Sequence, residues 1–362
     1  MEASINGIGV TGGFGCGLND LVECLKGTSS PVITADENNP RISYPAFKAD
    51  TSYLEDKVPK RALRRIDHFS QLALTGAYLA MDDAGLDHFD REKTGIVICS
   101  GYGSAKTTFS FLDSIIDDGD SCASPTLFSN SVHNAAAGHI SMLLGLEGPC
   151  LTVSQFEMSV PSALLSATQW LQEGRVEQVL FGAVDEYCDV LGYCYQRFFG
   201  TGKETTITPL VPGVQSAIPG EGAAFLLLSK VKSMTRNYGN ISSVKITDIT
   251  DKDAFPGEDS FFILNADGHS ECDSRYADII PEKSEISCYT PIYGSMPIGT
   301  AFDMAIAALS IREEKLFPSP ESVGHLDNLK VLRENRSHNK KNICCVKIGR
   351  QGELSIITLV NG

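Results

Sequence analysis

The stretch GPCLTVSQFEMS, residues 148–159, decides the fold of this chain. Cys150–Val153 is short and apolar and reads as a buried strand, and Pro161–Gln172 has the periodicity of a helix. A buried strand that breaks into a tight turn and then a helix lifts one side chain out of the sheet, towards the helix N-terminus. Backbone N–H groups there stabilise negative charge, so this elbow suits a nucleophile.

The tip of the predicted elbow carries Gln155, Phe156 and Glu157. None of them is a serine or a cysteine, so covalent acyl transfer has no obvious nucleophile here. The alternative interpretation is structural, with Glu157 capping the helix that follows.

Apolar strands and helical segments alternate along the whole chain, which predicts an α/β fold with largely buried sheets. We predict strands at Gly95–Ser100, Cys150–Val153, Gln178–Gly182, Ala223–Leu228, Asn342–Ile348 and Glu353–Val360, and helices at Ile66–Ala84, Pro161–Gln172 and Ile298–Ile311. The segment 232–257 is polar and rich in turn residues, so we place the midline of the chain there.

The composition excludes several function classes. The 362 residues include 45 acidic and 30 basic side chains, which gives a net charge of −15 and argues against a nucleic-acid partner. No run of about 18 apolar residues is present, so we expect no membrane span. The N-terminus lacks a basic and apolar leader, and we expect a cytoplasmic protein.

The eleven cysteines are scattered, without a CxxC pair. We expect reduced thiols that pack as small hydrophobic side chains, with neither disulfides nor a metal site. No motif calls for a cofactor, and we expect none.

A formal GxGxxG pattern is formed by Gly7, Gly9 and Gly12. A dinucleotide site would need a helix opening at the third glycine, but glycines continue at positions 13, 15 and 17. We therefore predict a glycine-rich turn that packs closely against other backbone.

Several motifs, in this order, resemble those of the β-ketoacyl-ACP synthases, condensing enzymes with the thiolase fold. They are INGIGVTGG at 5–13, the stretch from Ser124 to Gly138, LGLEGP at 144–149, QVLFGAVDE at 178–186 and GEGAA at 220–224. The resemblance implies two pseudo-symmetric βαβαβαββ halves in a layered α-β-α-β-α core, which we place at residues 1–231 and 232–362.

The family's reactive side chains are all replaced here. Glu157 stands at the position of the nucleophilic cysteine, and Asp267 and Ser295 stand at the positions of the two histidines. Thr290 stands at the position of the lysine, and the gating loop becomes Gly349, Arg350, Gln351 and Gly352. Condensation needs a thiolate and two imidazoles, so the resemblance implies a chain without condensing activity.

Such a chain resembles the chain-length factor, the non-catalytic subunit that pairs with a ketosynthase in type II polyketide and aryl polyene systems. The resemblance implies a heterodimer, with an acyl carrier protein docking mainly on the partner because this chain is acidic. It implies an interface at Thr152, Val153, Ser154, Gln155 and Phe156.

Thr108, Phe111, Leu112 and Ile115 have helical spacing and could line the partner's acyl tunnel, with Phe111 setting its depth, or could be ordinary core. Two other functions remain open: an enzyme that uses Glu157 and Asp267 as an acid/base pair, and a homodimeric scaffold.

Overall fold

The structure is a computed structural model that describes residues 2–34, 44–85, 90–200, 204–230, 238–251, 253–257 and 259–362. The strands are β1 Ala3–Gly12, β2 Gly15–Cys16, β3 Ile33–Thr34, β4 Ala46–Phe47, β5 Thr94–Ser100, β6 Cys150–Ser154, β7 Gln178–Asp185, β8 Gly222–Ser229, β9 Asn240–Asp248, β10 Ser260–Leu264, β11 Glu285–Ser287, β12 Lys315–Leu316, β13 Lys330–Val331, β14 Arg336–Ser337, β15 Asn342–Ile348 and β16 Glu353–Val360.

The helices of the same residues are α1 Leu18–Leu25, α2 Lys60–Leu63, α3 His68–Ala84, α4 Ala105–Asp118, α5 Pro125–Ser131, α6 Ala135–Leu144, α7 Ser159–Glu173, α8 Asp189–Phe199, α9 Ser270–Asp273, α10 Tyr276–Ile279, α11 Thr290–Tyr293 and α12 Gly299–Arg312. A short 3₁₀ turn, Phe156–Met158, precedes α7.

Both halves of the chain repeat one sheet topology. From the centre outward, the first half runs β1-β8-β7-β5-β6 and the second runs β9-β16-β15-β10-β11, with β13 added at the outer edge. In each half the first two pairings are antiparallel and the next two are parallel. Strands β1 and β9 pair antiparallel and join the halves. The predicted boundary between residues 231 and 232 lies outside the described residues.

Three hydrophobic cores separate the layers. Helices α7 and α12 lie in a central core that contacts strands of both halves. Helices α3 and α6 cover the outer face of the first-half sheet, and a third core with Tyr276 and Ile280 covers the outer face of the second. This order of layers confirms the predicted α/β thiolase-like fold.

The GxGxxG prediction was partly wrong. Gly7, Gly9 and Gly12 lie within strand β1, not in a turn. A Cβ on Gly9 would lie 2.1 Å from the carbonyl oxygen of Gly76, and one on Gly7 would lie 2.4 Å from that of Ala80. These glycines let β1 approach the backbone of α3, so the close packing was predicted correctly.

The predicted elements all exist, with small shifts at their ends. The strands Asn342–Ile348 and Glu353–Val360 have the predicted bounds. The first predicted helix begins at His68 instead of Ile66, because Asp67 has extended backbone and stands at the N-cap position. All eleven cysteines are free thiols. Among the described residues, no helix combines the length and the apolar character needed to cross a bilayer.

Candidate functional site

The predicted elbow forms where β6 ends and α7 begins. Phe156, at its tip, has φ of 43°, in the left-handed region that bulky residues avoid. The hydroxyl of Ser159 holds the turn, since it accepts from the backbone N–H of Gln155 at 2.8 Å and donates to the carbonyl of Ser100 at 3.0 Å. The tight turn between strand and helix is therefore present as predicted, and it is strained at Phe156 and held by Ser159.

Glu157 lies half-buried beside the turn between β15 and β16. Its Oε1 is 3.5 Å from Nε of Arg350, which lies in that turn. The Arg350 guanidinium also stacks over the ring of Phe199, with 4.2 Å between its carbon and the ring centroid. Glu157 is thus engaged in an ion pair with Arg350.

Asp267 is buried in a second ion pair. Its Oδ2 lies 3.0 Å from Nζ of Lys347 and accepts from the hydroxyl of Ser295 at 3.1 Å. Burial opposes ionisation of Asp267, but Lys347, His269 and the hydroxyl of Ser295 together outweigh it and lower the pKa of the carboxyl below its ordinary value. Burial also opposes the ammonium, while Asp267 and Glu157 raise the pKa of Lys347. Lys347 and Ser295 therefore both contact Asp267, and the charge of Glu157 also acts on the Lys347 ammonium.

A second buried carboxylate fixes the backbone around Asp267. Asp273 accepts from the N–H groups of Asp267 and Gly268, both at 3.1 Å, and from that of Leu210 at 3.2 Å. Burial and the neighbouring Asp267 raise the pKa of Asp273. The hydroxyl of Thr290 donates to the carbonyl of Ala266, so Thr290 lies beside the same segment.

His269 lies two residues after Asp267 and close to Arg350. The ring of His269 lies 4.6 Å from that of Phe199, and its Nε2 is 3.4 Å from Nη2 of Arg350. Burial lowers the pKa of His269 to about 4, although Asp267 favours the charged form. The imidazole is neutral at physiological pH, and Arg350 occupies the space beside Nε2.

These contacts oppose the acid/base alternative. Two carboxyls that share a site as an acid/base pair need one raised pKa, since like charges disfavour ionisation. Here Asp267 is paired with Lys347 and its pKa is lowered, while Glu157 is paired with Arg350. Each carboxylate has its own cation.

A cavity of about 660 Å³ opens beside the elbow. Its walls are mostly apolar or aromatic, and the residues at its charged end are Glu157, Arg350 and Glu353. Phe109 of α4 and Phe198 of α8 stand on its rim and are 39% and 73% exposed. The cavity has room for an apolar chain, and the Glu157–Arg350 ion pair forms part of its wall.

Phe111 of α4 does not line this cavity, and its expected role at the partner's acyl tunnel stays a prediction. Phe111 packs against Phe128 of α5, with ring centroids 5.4 Å apart, and Thr108 donates to the carbonyl of Ser131 at 3.5 Å. Phe109, two residues earlier, lines the cavity. Apolar side chains occur on both sides of α4, so periodicity alone did not identify the cavity side. Ile115 is partly buried, while Leu112 is exposed.

Strand β6 lies at the end of the sheet and pairs with β5; among the described strands nothing pairs with its other edge. Thr152 and Val153 are partly buried, and Ser154, Gln155 and Phe156 are exposed. The large apolar side chains exposed on α4, α5, α6, α8 and the elbow are Phe109, Leu112, Ile116, Phe128, Val132, Met142, Phe156, Val190, Tyr193 and Phe198. We call this set the apolar face.

Sequence reasoning missed Lys347 and the placement of Arg350. A lysine in the otherwise apolar strand NICCVKI was a usable signal, because a charge in a buried strand needs a partner. Within the described residues, no group of three or more His, Cys, Asp or Glu side chains is arranged to hold a metal ion.

Comparison with known proteins gives three sets of matches. Residues 33–233 match the family described as "Beta-ketoacyl synthase, N-terminal domain". A 3-oxoacyl-[acyl-carrier-protein] synthase 2 of Staphylococcus aureus (strain N315) is 26% identical over 246 residues, which is 66% of this chain and 59% of that protein. Nodulation protein E of Rhizobium leguminosarum bv. trifolii is 31% identical over 190 residues, covering 50% of this chain and 46% of that protein. The chain thus spans under two thirds of these relatives.

Solved structures align over the whole chain. A beta-ketoacyl synthase from Burkholderia phymatum STM815 has a TM-score of 0.85 at 15% identity, and an ishigamide ketosynthase/chain length factor has 0.82 at 17%. A type II polyketide ketosynthase in complex with its acyl-carrier protein has 0.81 at 15%. Each alignment covers 100% of this chain and 99% of the other. At these identities the structures show a shared fold.

Proposed function

Because this chain belongs to the beta-ketoacyl synthase family, we propose that it is a non-catalytic subunit, similar to a chain-length factor, that pairs with an active ketosynthase. In that role it shapes the partner's acyl tunnel in type II polyketide, aryl polyene or related lipid biosynthesis. Two ion pairs carry the proposal, Glu157 with Arg350 and Asp267 with Lys347. Glu157 and Asp267 are the residues that we expect at the positions of the family's reactive groups.

Condensation chemistry explains why these ion pairs matter. The reaction needs a thiolate that carries the acyl chain and hydrogen-bond donors that stabilise the developing enolate. Glu157 is a poor acyl carrier. Asp267 accepts hydrogen bonds when ionised, and the lowered pKa keeps it ionised, so it would repel an enolate. Of the residues at the expected reactive positions, Glu157 lines the apolar cavity beside the elbow.

The partner surface is supported by β6 and the apolar face. An open strand edge offers unpaired N–H and C=O groups to a second strand, and exposed aromatic side chains are typical of subunit interfaces. Phe109, Phe156, Val190 and Phe198 line one cavity, so the apolar face is continuous with the site. A ketosynthase subunit with the same fold would present a matching strand edge.

Carrier docking on the partner was expected from the net charge, but the charge is unevenly distributed. Five basic side chains are exposed on and beside α2: Lys57, Lys60, Arg61, Arg64 and Arg65. This cluster is a local exception to a chain with net charge −15. We retain docking mainly on the partner as part of the proposal. Crosslinking a carrier in the assembled pair tests it, and crosslinks concentrated on residues 57–65 would contradict it.

Co-expression with a candidate ketosynthase tests the proposal as a whole. We expect a tagged copy of this chain to co-purify the ketosynthase in a 1:1 ratio, and Phe156→Glu to abolish the association because it places a charge in the apolar face. Ile246→Glu, at an exposed apolar residue of β9, is the matched control and should leave the association intact. A stable symmetric homodimer that co-purifies no ketosynthase would favour the scaffold alternative.

A further inference from the structure

A basic cleft of about 450 Å³ lies at the far end of the sheet from β6. Four cationic side chains line it: Lys283, Lys330, Arg336 and Lys340. Strand β10 runs from Ser260, in this cleft, to the segment that carries Asp267. The cleft and the candidate site therefore lie at opposite ends of the same strand.

One carboxylate stands among these cations. Glu285 pairs with Arg336 through Oε1 and with Lys340 through Oε2, the latter at 3.6 Å. In the part of the chain that the structure describes, no carboxylate lies within ion-pair distance of Lys283 or Lys330. Four cations and one carboxylate give the cleft a local charge of +3 on a chain of −15.

The fold assembles this charge from separate segments. Lys283 lies just before β11, Lys330 begins β13, and Arg336 begins β14. Lys283 has φ of 63°, an unfavourable conformation for a lysine, and its N–H donates to the carbonyl of Asn328 at 2.7 Å. A strained turn thus holds one cation beside the others. Their mutual repulsion raises the free energy of the empty cleft, and a polyanion would relieve it.

We infer that this cleft binds the phosphate groups of a small phosphorylated ligand, either a phosphate monoester or a diphosphate. The charge of +3 matches such an anion, and arginine and lysine are the usual partners of phosphate oxygens. Ser284 and Asn339 add a hydroxyl and an amide to the lining. The concave shape and small volume fit a phosphate group better than the surface of an acidic protein. The inference is independent of the proposed subunit role.

Isothermal titration of the purified full chain with sodium pyrophosphate, at about 50 mM salt where screening is modest, tests the inference. We expect saturable binding to one site. Lys283→Glu/Lys330→Glu should weaken it by more than about tenfold. Arg61→Glu/Arg64→Glu makes the same charge change on the exposed cluster near α2 and should leave it unchanged. Inorganic phosphate as a second titrant distinguishes a monoester site, where both anions bind equally, from a diphosphate site, where pyrophosphate binds more tightly.

Three results would overturn the inference: no saturable binding to the wild-type chain, equal weakening by both double variants, or weakening by the Arg61/Arg64 variant alone. Lys283→Gln/Lys330→Gln guards against misfolding, because it removes two charges without introducing carboxylates beside Glu285. This variant should also weaken pyrophosphate binding, and its thermal unfolding midpoint should equal that of the wild-type chain.

Discussion

Nζ of Lys347 lies 3.0 Å from Oδ2 of Asp267, and the two side chains are 4% and 8% exposed. A buried ion pair rarely adds net stability, but removing one partner leaves a charge without compensation. Asp267 is the residue that we predict to stand at the position of one of the family's histidines. The ammonium holds Asp267 as an anion, which is the wrong form to support an enolate.

Lys347→Met should destabilise the chain by about 3–5 kcal/mol, because it leaves Asp267 buried without its cation. Urea unfolding at pH 7 measures this loss. Asp267→Leu/Lys347→Met removes both charges and should lie much closer to the wild type. The two residues are not coupled if the free energy of unfolding lost by the double variant equals the sum of the losses in Lys347→Met and Asp267→Leu.

Glu186→Gln should stabilise the chain at alkaline pH and have little effect near pH 4.5. Glu186 is buried, and its Oε1 accepts from the N–H of Lys106 at 2.8 Å. Burial raises its pKa from 4.5 to about 7. A carboxyl whose pKa is raised by folding stabilises the folded state at pH values below the pKa of that carboxyl in the unfolded chain. This stabilisation is lost as the pH rises through the folded-state pKa of about 7.

The expected gain from Glu186→Gln at pH 8 is up to about 3 kcal/mol, measured by urea unfolding at pH 5 and at pH 8. Glu92→Gln, at an exposed position, is the control and should show no pH-dependent gain. An equal effect of Glu186→Gln at both pH values would contradict the assignment of a raised pKa.

Glu157→Ala should leave the product output of the assembled pair unchanged, since the proposal gives Glu157 no chemical step. Product formation by the co-expressed pair is the measurement. Replacing the partner's nucleophile, in contrast, should abolish it. A large loss of product with Glu157→Ala, in a pair that still assembles, would instead favour chemistry at Glu157 and the acid/base alternative.

Phe109→Ala should change the length distribution of the products more than Phe111→Ala. Phe109 lines the cavity, while Phe111 packs on Phe128. Removing Phe109 enlarges the cavity and should favour longer chains, seen by mass spectrometry of extracted products. Phe111→Ala should mainly lower the unfolding midpoint, because it removes a packing contact. The opposite assignment of the two effects would favour Phe111 as the residue that sets the depth of the tunnel.

Much of the fold was predictable because local patterns and tertiary burial agree. The hairpin of β15 and β16 was predicted residue by residue, since two apolar runs are bounded by a Gly349–Gly352 turn. The elbow was predicted from strand, turn and helix signals around Glu157. What the sequence did not indicate are contacts between distant segments. The ion pair of Lys347 with Asp267 joins residues 80 positions apart. Which side of α4 faces the cavity depends on how α4 packs against α5.

The most direct test of the central claim is native mass spectrometry of this chain co-expressed with a catalytic ketosynthase, followed by a condensation assay of each isolated species. We expect a 1:1 heterodimer that condenses malonyl units, and we expect no condensation by this chain alone. Condensing activity in the isolated chain, or separate homodimers of the two proteins with no mixed species, would contradict it.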